Sequence, residues 1–381
     1  MTHPLAYDTW GAEERAAILA VLDSGRFTMG VKVREFEAAF ARYMGMAHAV
    51  MVNSGSSANL LAVAALVQAG RLQPGDEVIV PAIAWATTYA PLAQYGLRLR
   101  VVDVDLDTLN VSLPAVEAAI NERTRAIVAV SILGNPASLP ELWAIAYRHG
   151  LVLMEDNCES LGASVGGRLA GAWGDITTHS FFFSHQLSTG EGGMVTTNDR
   201  RLADLARSMR AHGWTRDLAD DSPIYQRTGD DFDEGYKFIL PGYNLRPTEI
   251  AAAVGLVQLR GLDAALDVRR RNARIFQTAF GNDQRFIIQR ENGKGSWFGF
   301  TIITAERARL FPAMREAGIE FRQITGGNFW AHPVARQYDV MPGEAPNAQF
   351  AHERGFFVGN ASRDLSDEIG RLREVLDRAA A

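Results

Sequence analysis

Short apolar runs alternate with helical patterns over the first two-thirds of the chain. Each run is rich in Val, Ile or Leu and precedes a stretch with helical periodicity; the runs are HAVMVN, DEVIVP, RLRVVDVD, RAIVAVSI and LVLMEDN. Near-continuous apolar strands separated by helices are typical of a mostly parallel sheet covered by helices on both faces. The pattern therefore predicts an α/β fold with a large α/β/α domain.

The pattern changes in the last third of the chain. Before it, ITTHSFFF and GGMVTTND predict a strand pair added to the sheet, and after Pro247 a long helical stretch begins with TEIAAAVGLVQL. A second unit follows, with a strand in SWFGFTIIT and helices in RARLFPAMREAGI and SDEIGRLREVLDRAA. We predict a large domain over residues 1–245 and a smaller C-terminal α+β domain over 246–381, linked by the long helix.

Composition narrows the classes of function. The chain is 47% hydrophobic and 22% charged, and its formal net charge of −6 does not favour a nucleic-acid partner. A single cysteine, Cys158, excludes a disulfide framework, a cysteine-rich zinc site and a four-thiolate iron–sulfur cluster. The first residues do not resemble a signal peptide, and no apolar run reaches the roughly 18 residues of a membrane span. We therefore expect a cytoplasmic protein.

Ligands of open α/β sheets bind beyond the carboxyl ends of the strands, so the turns after the strands are the first candidates. In NSGSSANL, Gly55 allows close backbone approach, and Ser56 and Ser57 place hydroxyls at a helix N-terminus. This combination suits a phosphate. The alternative is a simple helix N-cap, for which one serine suffices.

Three more side chains follow two other strands. Trp85, in PAIAWATT, could lie flat on a planar ring or belong to the core. Asp156 and Glu159, in LMEDNCESLGA, are acids that repel each other unless one has a cationic partner. The ring nitrogen of pyridoxal phosphate is such a partner. A metal site is the alternative, but no histidine flanks these acids at ligand spacing, so we expect no metal.

The stretch HSFFFSHQLSTGEGG supplies two further candidates. Ser180 could add a phosphate contact, and His185 would then face the reactive carbon of the cofactor. A lone histidine can equally be structural or lie on the surface. The position of His185 between a buried strand and the GEGG turn favours the site.

Taken in order, these motifs resemble the DegT/DnrJ/EryC1/StrS sugar aminotransferases, pyridoxal-phosphate enzymes of fold type I that act on nucleotide-linked keto-sugars. The resemblance covers nearly the whole chain and includes FTMG, NSGSSANLL, GDEVIVPA, LGNP, EDNCESLGA, GEGGMV, RAHGW, GYNLRPTEIAAAVGLVQL and FVGN. It implies that the phosphate is held by Gly55, Ser56 and Ser180, with Asn244 from the other subunit of a homodimer. It also implies that Trp85 stacks on the ring, that Asp156 pairs with the ring nitrogen, and that Glu159 lies near the ring hydroxyl.

One position departs from the family pattern. Where the aminotransferases have the lysine that binds the cofactor covalently, this chain has His185, and its only lysines are Lys32, Lys237 and Lys294, none in a matching motif. Histidine moves protons near neutral pH but cannot anchor the cofactor. The same change marks a subgroup that the chain resembles, the 3-dehydratases of 3,6-dideoxysugar biosynthesis.

The subgroup resemblance implies a specific reaction. Pyridoxal or pyridoxamine phosphate would be bound non-covalently, the C3 hydroxyl of GDP-4-keto-6-deoxy-D-mannose would be removed, and L-glutamate would regenerate the aminated cofactor. Arg246 is a candidate for the glutamate carboxylate, and Arg269–Arg274 could face a diphosphate or form a solvated helix face. Two alternatives remain open: an aminotransferase with a displaced lysine, and a non-catalytic protein that binds the cofactor.

Overall fold

The computed structural model describes residues 2–380. The helices, in chain order, are α1 (Ala12–Ser24), α2 (Val31–Met44), α3 (Gly55–Gln68), α4 (Ala86–Gln94), α5 (Leu113–Ala119), α6 (Leu139–His149), α7 (Arg200–Arg210), α8 (Asp231–Glu234), α9 (Glu249–Phe280), α10 (Arg307–Glu316), α11 (Pro346–Arg354) and α12 (Ser366–Ala380). The strands are β1 (His48–Val52), β2 (Glu77–Pro81), β3 (Arg98–Val102), β4 (Thr124–Val130), β5 (Val152–Asp156), β6 (Ser164–Val165), β7 (Arg168–Leu169), β8 (Ile176–Ser180), β9 (Gly193–Thr197), β10 (Gly299–Ile303), β11 (Phe321–Arg322) and β12 (Gly355–Gly359).

The central sheet has the strand order β1-β9-β8-β5-β4-β2-β3. Strand β9 runs antiparallel to both of its neighbours, β8 and β1, and the other adjacent pairs are parallel. The prediction of a mostly parallel sheet is thus confirmed, and the predicted strand pair is β8 and β9.

Helices cover both faces of this sheet, which explains its continuous apolar strands. On one face Val50 and Val52 of β1 pack in the same core as Leu61 of α3. On the other face Ile127 of β4 packs in a core with Leu142 of α6. These five side chains are at most 1% exposed, so neither face of the sheet can carry the polar alternation of a one-sided sheet.

The C-terminal part has its own sheet and core. Strands β10, β12 and β11 form an antiparallel sheet that packs against α10, α12 and the end of α9. The core between them includes Phe276 of α9, Phe300 of β10 and Leu372 of α12. Helix α9 begins after Thr248, whose hydroxyl accepts a hydrogen bond from Ala251 N at 3.1 Å. Its first half contacts α1 and α2. The boundary between residues 245 and 246 falls just before this helix and remains a prediction.

The sheet topology brings four strand ends together. Strands β1, β2, β5 and β8 point in the same direction, so the turns that follow them open at one edge of the sheet. These are the turns that contain the residues singled out in the sequence. Within residues 2–380, no helix combines the length and apolarity needed to cross a membrane.

Candidate active site

The turn after β1 packs directly against β8. Ser54 caps helix α3, and its Oγ accepts a hydrogen bond from Ser57 N at 3.0 Å. A Cβ added to Gly55 would lie 2.6 Å from Ser180 Cβ, so only glycine allows this contact. The first turn of a helix leaves N–H groups unpaired. Gly55 and Ser180 therefore meet at a helix N-terminus, as expected for an anion cradle.

Hydroxyls and an exposed ring border this cradle. Ser56 Oγ lies 2.9 Å from Thr87 Oγ1, and both hydroxyls are accessible. Trp85, which immediately precedes α4, is 58% exposed and so is not a core residue. Its Cε3 is 4.0 Å from the position a Cβ would take on Gly326. An exposed indole beside a helix N-terminus can stack on a planar ring whose phosphate lies in the cradle.

Asp156 forms the floor of the site at the end of β5. It is 4% exposed, and Oδ2 accepts hydrogen bonds from Thr88 Oγ1 at 2.7 Å and Asn59 Nδ2 at 2.9 Å. Its Oδ1 accepts a third bond from Cys158 N at 3.2 Å. Thr178 Oγ1 donates to Asn59 Oδ1 at 2.6 Å, which fixes the orientation of the amide. Neutral donors thus compensate the carboxylate for the loss of water.

The neighbouring acids have different surroundings. Glu155 points to the opposite face of β5, where the backbone N–H groups of Gly171, Trp173 and Gly174 donate to it. This arrangement is structural. Glu159 lies in the turn beside Asp156, and burial raises its pKa to about 7, although hydrogen bonds from neighbouring groups oppose that rise. A carboxyl that titrates near neutral pH is common at functional sites.

Glu159 joins two distant turns. Its Oε2 accepts hydrogen bonds from Leu133 N at 2.8 Å and from Thr325 Oγ1 at 3.1 Å. Leu133 and Thr325 both have positive φ angles, 51° and 38°, as does Trp297 at 48°. Such angles are strained for residues other than glycine and are concentrated at functional sites. The strain here lies where the C-terminal part meets the edge of the large sheet.

His185 lies in the turn after β8, against aromatic rings. Its imidazole packs edge-to-face on Phe298 at a centroid distance of 5.0 Å and on Phe182 at 6.0 Å. Its Nδ1 is 3.5 Å from Ser184 Oγ. Burial, and next the positive charge of Arg269, lower the pKa of His185 to about 3, so the protein alone holds it as a neutral imidazole.

Gln186 connects the His185 turn to the rest of the site. Its Nε2 donates to the Glu159 carbonyl at 2.5 Å and to Ser296 Oγ at 3.0 Å. The turns that carry Glu159, His185 and Phe298 are therefore tied together. The structure brings Gly55, Ser56, Trp85, Asp156, Glu159, Ser180 and His185 to the same edge of the sheet.

Asn244 and the three lysines are not among the residues that these contacts join. Asn244 is exposed, and its Oδ1 accepts a hydrogen bond from Arg246 Nε at 3.0 Å. Lys32 pairs with Glu35 on α2, and Lys237 pairs with Glu234 on α8. Lys294 is joined to Ser164 by backbone hydrogen bonds. No contact recorded for residues 2–380 brings a lysine side chain to His185.

Sequence reasoning missed several residues of the site, notably Asn59, Thr88, Gln186 and Thr325. The suggestion that Arg269–Arg274 form a solvated helix face is wrong for Arg269. This residue is only 3% exposed. Its spacing from Leu266 and Ala273, both buried on α9, could have placed it on the inner side of the helix.

The family comparison follows from this geometry. Residues 8–371 match the DegT/DnrJ/EryC1/StrS aminotransferase family. The chain belongs to this family. The prediction from the motifs is confirmed, and so is the aminotransferase-like α/β fold.

Individual members of this family are similar over their full length. GDP-4-keto-6-deoxy-D-mannose 3-dehydratase of Yersinia pseudotuberculosis is 45% identical, with 98% of each chain covered. The Escherichia coli enzyme of that name, solved with bound hydrated pyridoxal phosphate, is 43% identical with a TM-score of 0.96 and 99% of each chain covered. A structure of a GDP-4-keto-6-deoxymannose-3-dehydratase with a trapped pyridoxal phosphate–glutamate geminal diamine has the same identity and TM-score. It covers 98% of this chain and 100% of that one.

The residues present fit the cofactor of this DegT/DnrJ/EryC1/StrS family. Gly55 allows the N-terminus of α3 to pack closely against Ser180, so that the helix N–H groups and the Ser180 hydroxyl lie together, and Trp85 offers an exposed ring face. Asp156 is a buried carboxylate with neutral donors and, among residues 2–380, no cation within ion-pair distance, so it can accept a cationic ring nitrogen. No cluster of metal-ligating side chains occurs in the described part of the chain.

Proposed function

We propose that the protein is a 3-dehydratase that uses pyridoxal and pyridoxamine phosphate to remove the C3 hydroxyl of GDP-4-keto-6-deoxy-D-mannose. L-Glutamate restores the aminated cofactor. The observation that supports this proposal is His185, an imidazole in the position of the family's lysine, at the same sheet edge as Asp156 and Trp85. The product would serve 3,6-dideoxysugar biosynthesis of the colitose type, for O-antigen, in the cytoplasm.

The chain holds the cofactor without a covalent bond. When bound, the cofactor supplies an amine that joins the sugar ketone and a ring that accepts electrons. Gly55, Ser56 and Ser180 bind the phosphate at the α3 N-terminus, and Trp85 stacks on the ring. Asp156 keeps the ring nitrogen protonated, because its charge is not neutralised by any cation among the described residues.

His185 moves the proton. Since Nδ1 faces Ser184 Oγ, Nε2 is the nitrogen that remains for the reacting atoms. The neutral imidazole first takes a proton from the cofactor carbon outside the ring. Once protonated within its aromatic wall, it is a strong acid, because burial disfavours the charged form. It therefore returns the proton readily to the oxygen that leaves sugar C3.

A direct assay tests the reaction. The protein is incubated with GDP-4-keto-6-deoxy-D-mannose, pyridoxal phosphate and L-glutamate, and the products are followed by mass. We expect a nucleotide sugar one oxygen atom lighter than the substrate, together with ammonia and 2-oxoglutarate. An amino sugar would instead support the aminotransferase alternative, and borohydride reduction with peptide mapping would then reveal a labelled lysine. The absence of any product would favour a non-catalytic protein.

The exposed position of Asn244 supports a homodimer in which each subunit supplies this residue to the other's site. Arg246, bonded to Asn244, is the candidate for the glutamate carboxylate. Co-expression of His185→Gln and Asn244→Ala chains tests this arrangement. In a mixed dimer one of the two sites has both native residues. Each mixed dimer should therefore have about half the activity of a wild-type dimer. No recovery, with mixed dimers verified by two affinity tags, would contradict a shared site.

A further inference from the structure

Arg269, in the middle of α9, is a buried cation without an acidic partner. It is 3% exposed, and among residues 2–380 no carboxylate lies within salt-bridge distance of it. Nη1 donates to the carbonyls of Asn360, Trp297 and Phe298 at 3.2, 3.4 and 3.5 Å, and Nε has no partner there. A buried charge that only a few long hydrogen bonds compensate is destabilising, so its presence indicates a functional role.

Two of the three carbonyls that Arg269 binds, those of Trp297 and Phe298, belong to the wall behind His185, and the third, Asn360 O, follows β12. Trp297 has a φ of 48°, and Asn360 Nδ2 also donates to its carbonyl at 2.8 Å. Phe298, the next residue, carries the ring that packs on the imidazole at 5.0 Å. Arg269 thus fixes a strained turn whose aromatic side chain forms one side of the His185 pocket.

We propose that Arg269 is a positioning residue for His185: its guanidinium holds the backbone of Trp297 and Phe298 against the imidazole, and its positive charge adds to burial in opposing a second charge on that ring. The inference rests on the proposed function only in giving His185 its role as a base. The electrostatic direction is independently clear, because a cation near an imidazole opposes a second positive charge.

Other groups around His185 do not have this effect. Phe182 and Phe298 are apolar, and Ser184 offers a neutral hydroxyl. The carboxylate of Asp156 would favour a charged imidazole rather than oppose it, and Glu159, whose pKa burial raises to about 7, is largely neutral at pH 5. Among these groups, Arg269 is therefore the charged one that adds to burial in favouring the neutral form.

The test measures the charge on His185 directly in the full chain. Histidine Cε1 resonances are followed by NMR at pH 5, with His185→Gln to assign the signal. With a His185 pKa of about 3, about 1% of the wild-type imidazole is charged at this pH. Arg269→Gln keeps a donor for the carbonyls but removes the charge, and we expect about a tenfold larger charged fraction.

Two matched variants separate charge from packing. Arg269→Lys retains the charge and should titrate like the wild type. Arg270→Gln removes the adjacent arginine, which bonds Gly295 O and Gly162 O, and should leave the His185 signal unchanged. In the loaded enzyme we expect Arg269→Gln to lower kcat with little change in KM for the sugar, and Arg269→Lys to restore most of it.

An unchanged His185 signal in Arg269→Gln would overturn the proposal. A tenfold larger charged fraction of His185 in Arg269→Lys would overturn it as well. If Arg269→Gln does not fold, as judged by near-UV circular dichroism, Arg269→Met replaces it as the neutral variant, with the same expected increase in the charged fraction of His185. The NMR measurement needs no sugar turnover. A protein without dehydratase activity but with the expected titrations would refute the proposed function and leave this inference standing.

Discussion

The surroundings of Asp156, at the floor of the site, stabilise a charged side chain, whereas the surroundings of His185, at its wall, disfavour one. Three hydrogen-bond donors surround the Asp156 carboxylate, from Asn59, Thr88 and the backbone of Cys158. The His185 imidazole instead faces two aromatic rings and the charge of Arg269, which together with burial lower its pKa to about 3. One end of the site is suited to a permanent anion, and the other to a base that carries charge only briefly.

A second histidine shows that burial alone does not make a base. His179 lies six residues earlier on β8, is 0% exposed, and burial lowers its pKa to about 3 as well. However, its Nε2 is hydrogen-bonded to Thr196 Oγ1 at 3.1 Å, and the ring packs on Phe40 inside the core. The two histidines differ in accessibility, because His185 lies at the sheet edge together with the candidate cofactor-binding residues.

The largest effect is expected from His185→Lys. The new lysine can bond covalently to the cofactor, so we expect a visible absorption band. Borohydride reduction should then leave the cofactor attached to residue 185. Dehydration should fall by about 10²–10⁴-fold because the proton-transfer group is lost, with some amino transfer in its place. Product mass and peptide mapping provide both measurements.

His179→Gln is the matched control for this variant. It removes a fully buried imidazole that lies in the core and not at the site, so the folded fraction should keep its dehydratase activity while thermal stability decreases. A fully active His185→Lys enzyme would refute the role assigned to the wall histidine.

The next effect concerns the floor. Asp156→Asn keeps the shape of the side chain but removes the negative charge that holds a proton on the ring nitrogen. We expect kcat to fall by about 10²–10³-fold, as when a preorganised electrostatic contact is removed, and cofactor affinity to decrease. Steady-state kinetics and cofactor titration check this. A loss smaller than about tenfold would mean that the floor matters little for electron withdrawal.

A smaller effect follows from one donor of the floor. Thr88→Val removes the 2.7 Å hydrogen bond to Asp156 and leaves the side-chain volume nearly unchanged. A single hydrogen bond to a charged group is worth about 1.5–3 kcal/mol, so we expect about a tenfold or greater loss of activity. Thr177→Val is the control, because that hydroxyl lies 3.5 Å from Glu155 and not at Asp156. Equal losses in both variants would indicate general destabilisation.

The fold could be predicted because each strand carries its own local signal. Continuous Val and Ile runs mark β2 and β4 as buried on both faces, and the turn residues after them mark the sheet edge. The position of His185 at the sheet edge could be predicted for the same reason, since its turn follows β8. These positions needed only neighbouring residues and the rule that ligands bind at strand ends, whereas the role proposed for His185 came from the resemblance to the family.

The supporting contacts could not be predicted, because they join residues far apart in the chain. Asn59 and Asp156 are separated by 97 positions, and Glu159 and Thr325 by 166. Arg269 contacts the turn at Phe298 only because α9 crosses behind it. No local pattern records such crossings, so the sequence indicated which residues do chemistry but not which residues orient them.

The last effect is on stability and not on activity. It tests whether Glu159, next to the floor at Asp156, titrates as a buried carboxyl. Burial raises the pKa of Glu159 to about 7, whereas an exposed glutamate titrates near about 4.3. Between these values the folded chain retains a proton that the unfolded chain has released, so stability falls as the pH rises. Glu159→Gln is neutral throughout. Relative to wild type, its free energy of unfolding should therefore rise by about 2–3 kcal/mol from pH 5 to pH 8. Urea denaturation of the cofactor-free chain at several pH values measures this difference, and parallel curves for the two proteins would show that Glu159 titrates like an exposed carboxyl.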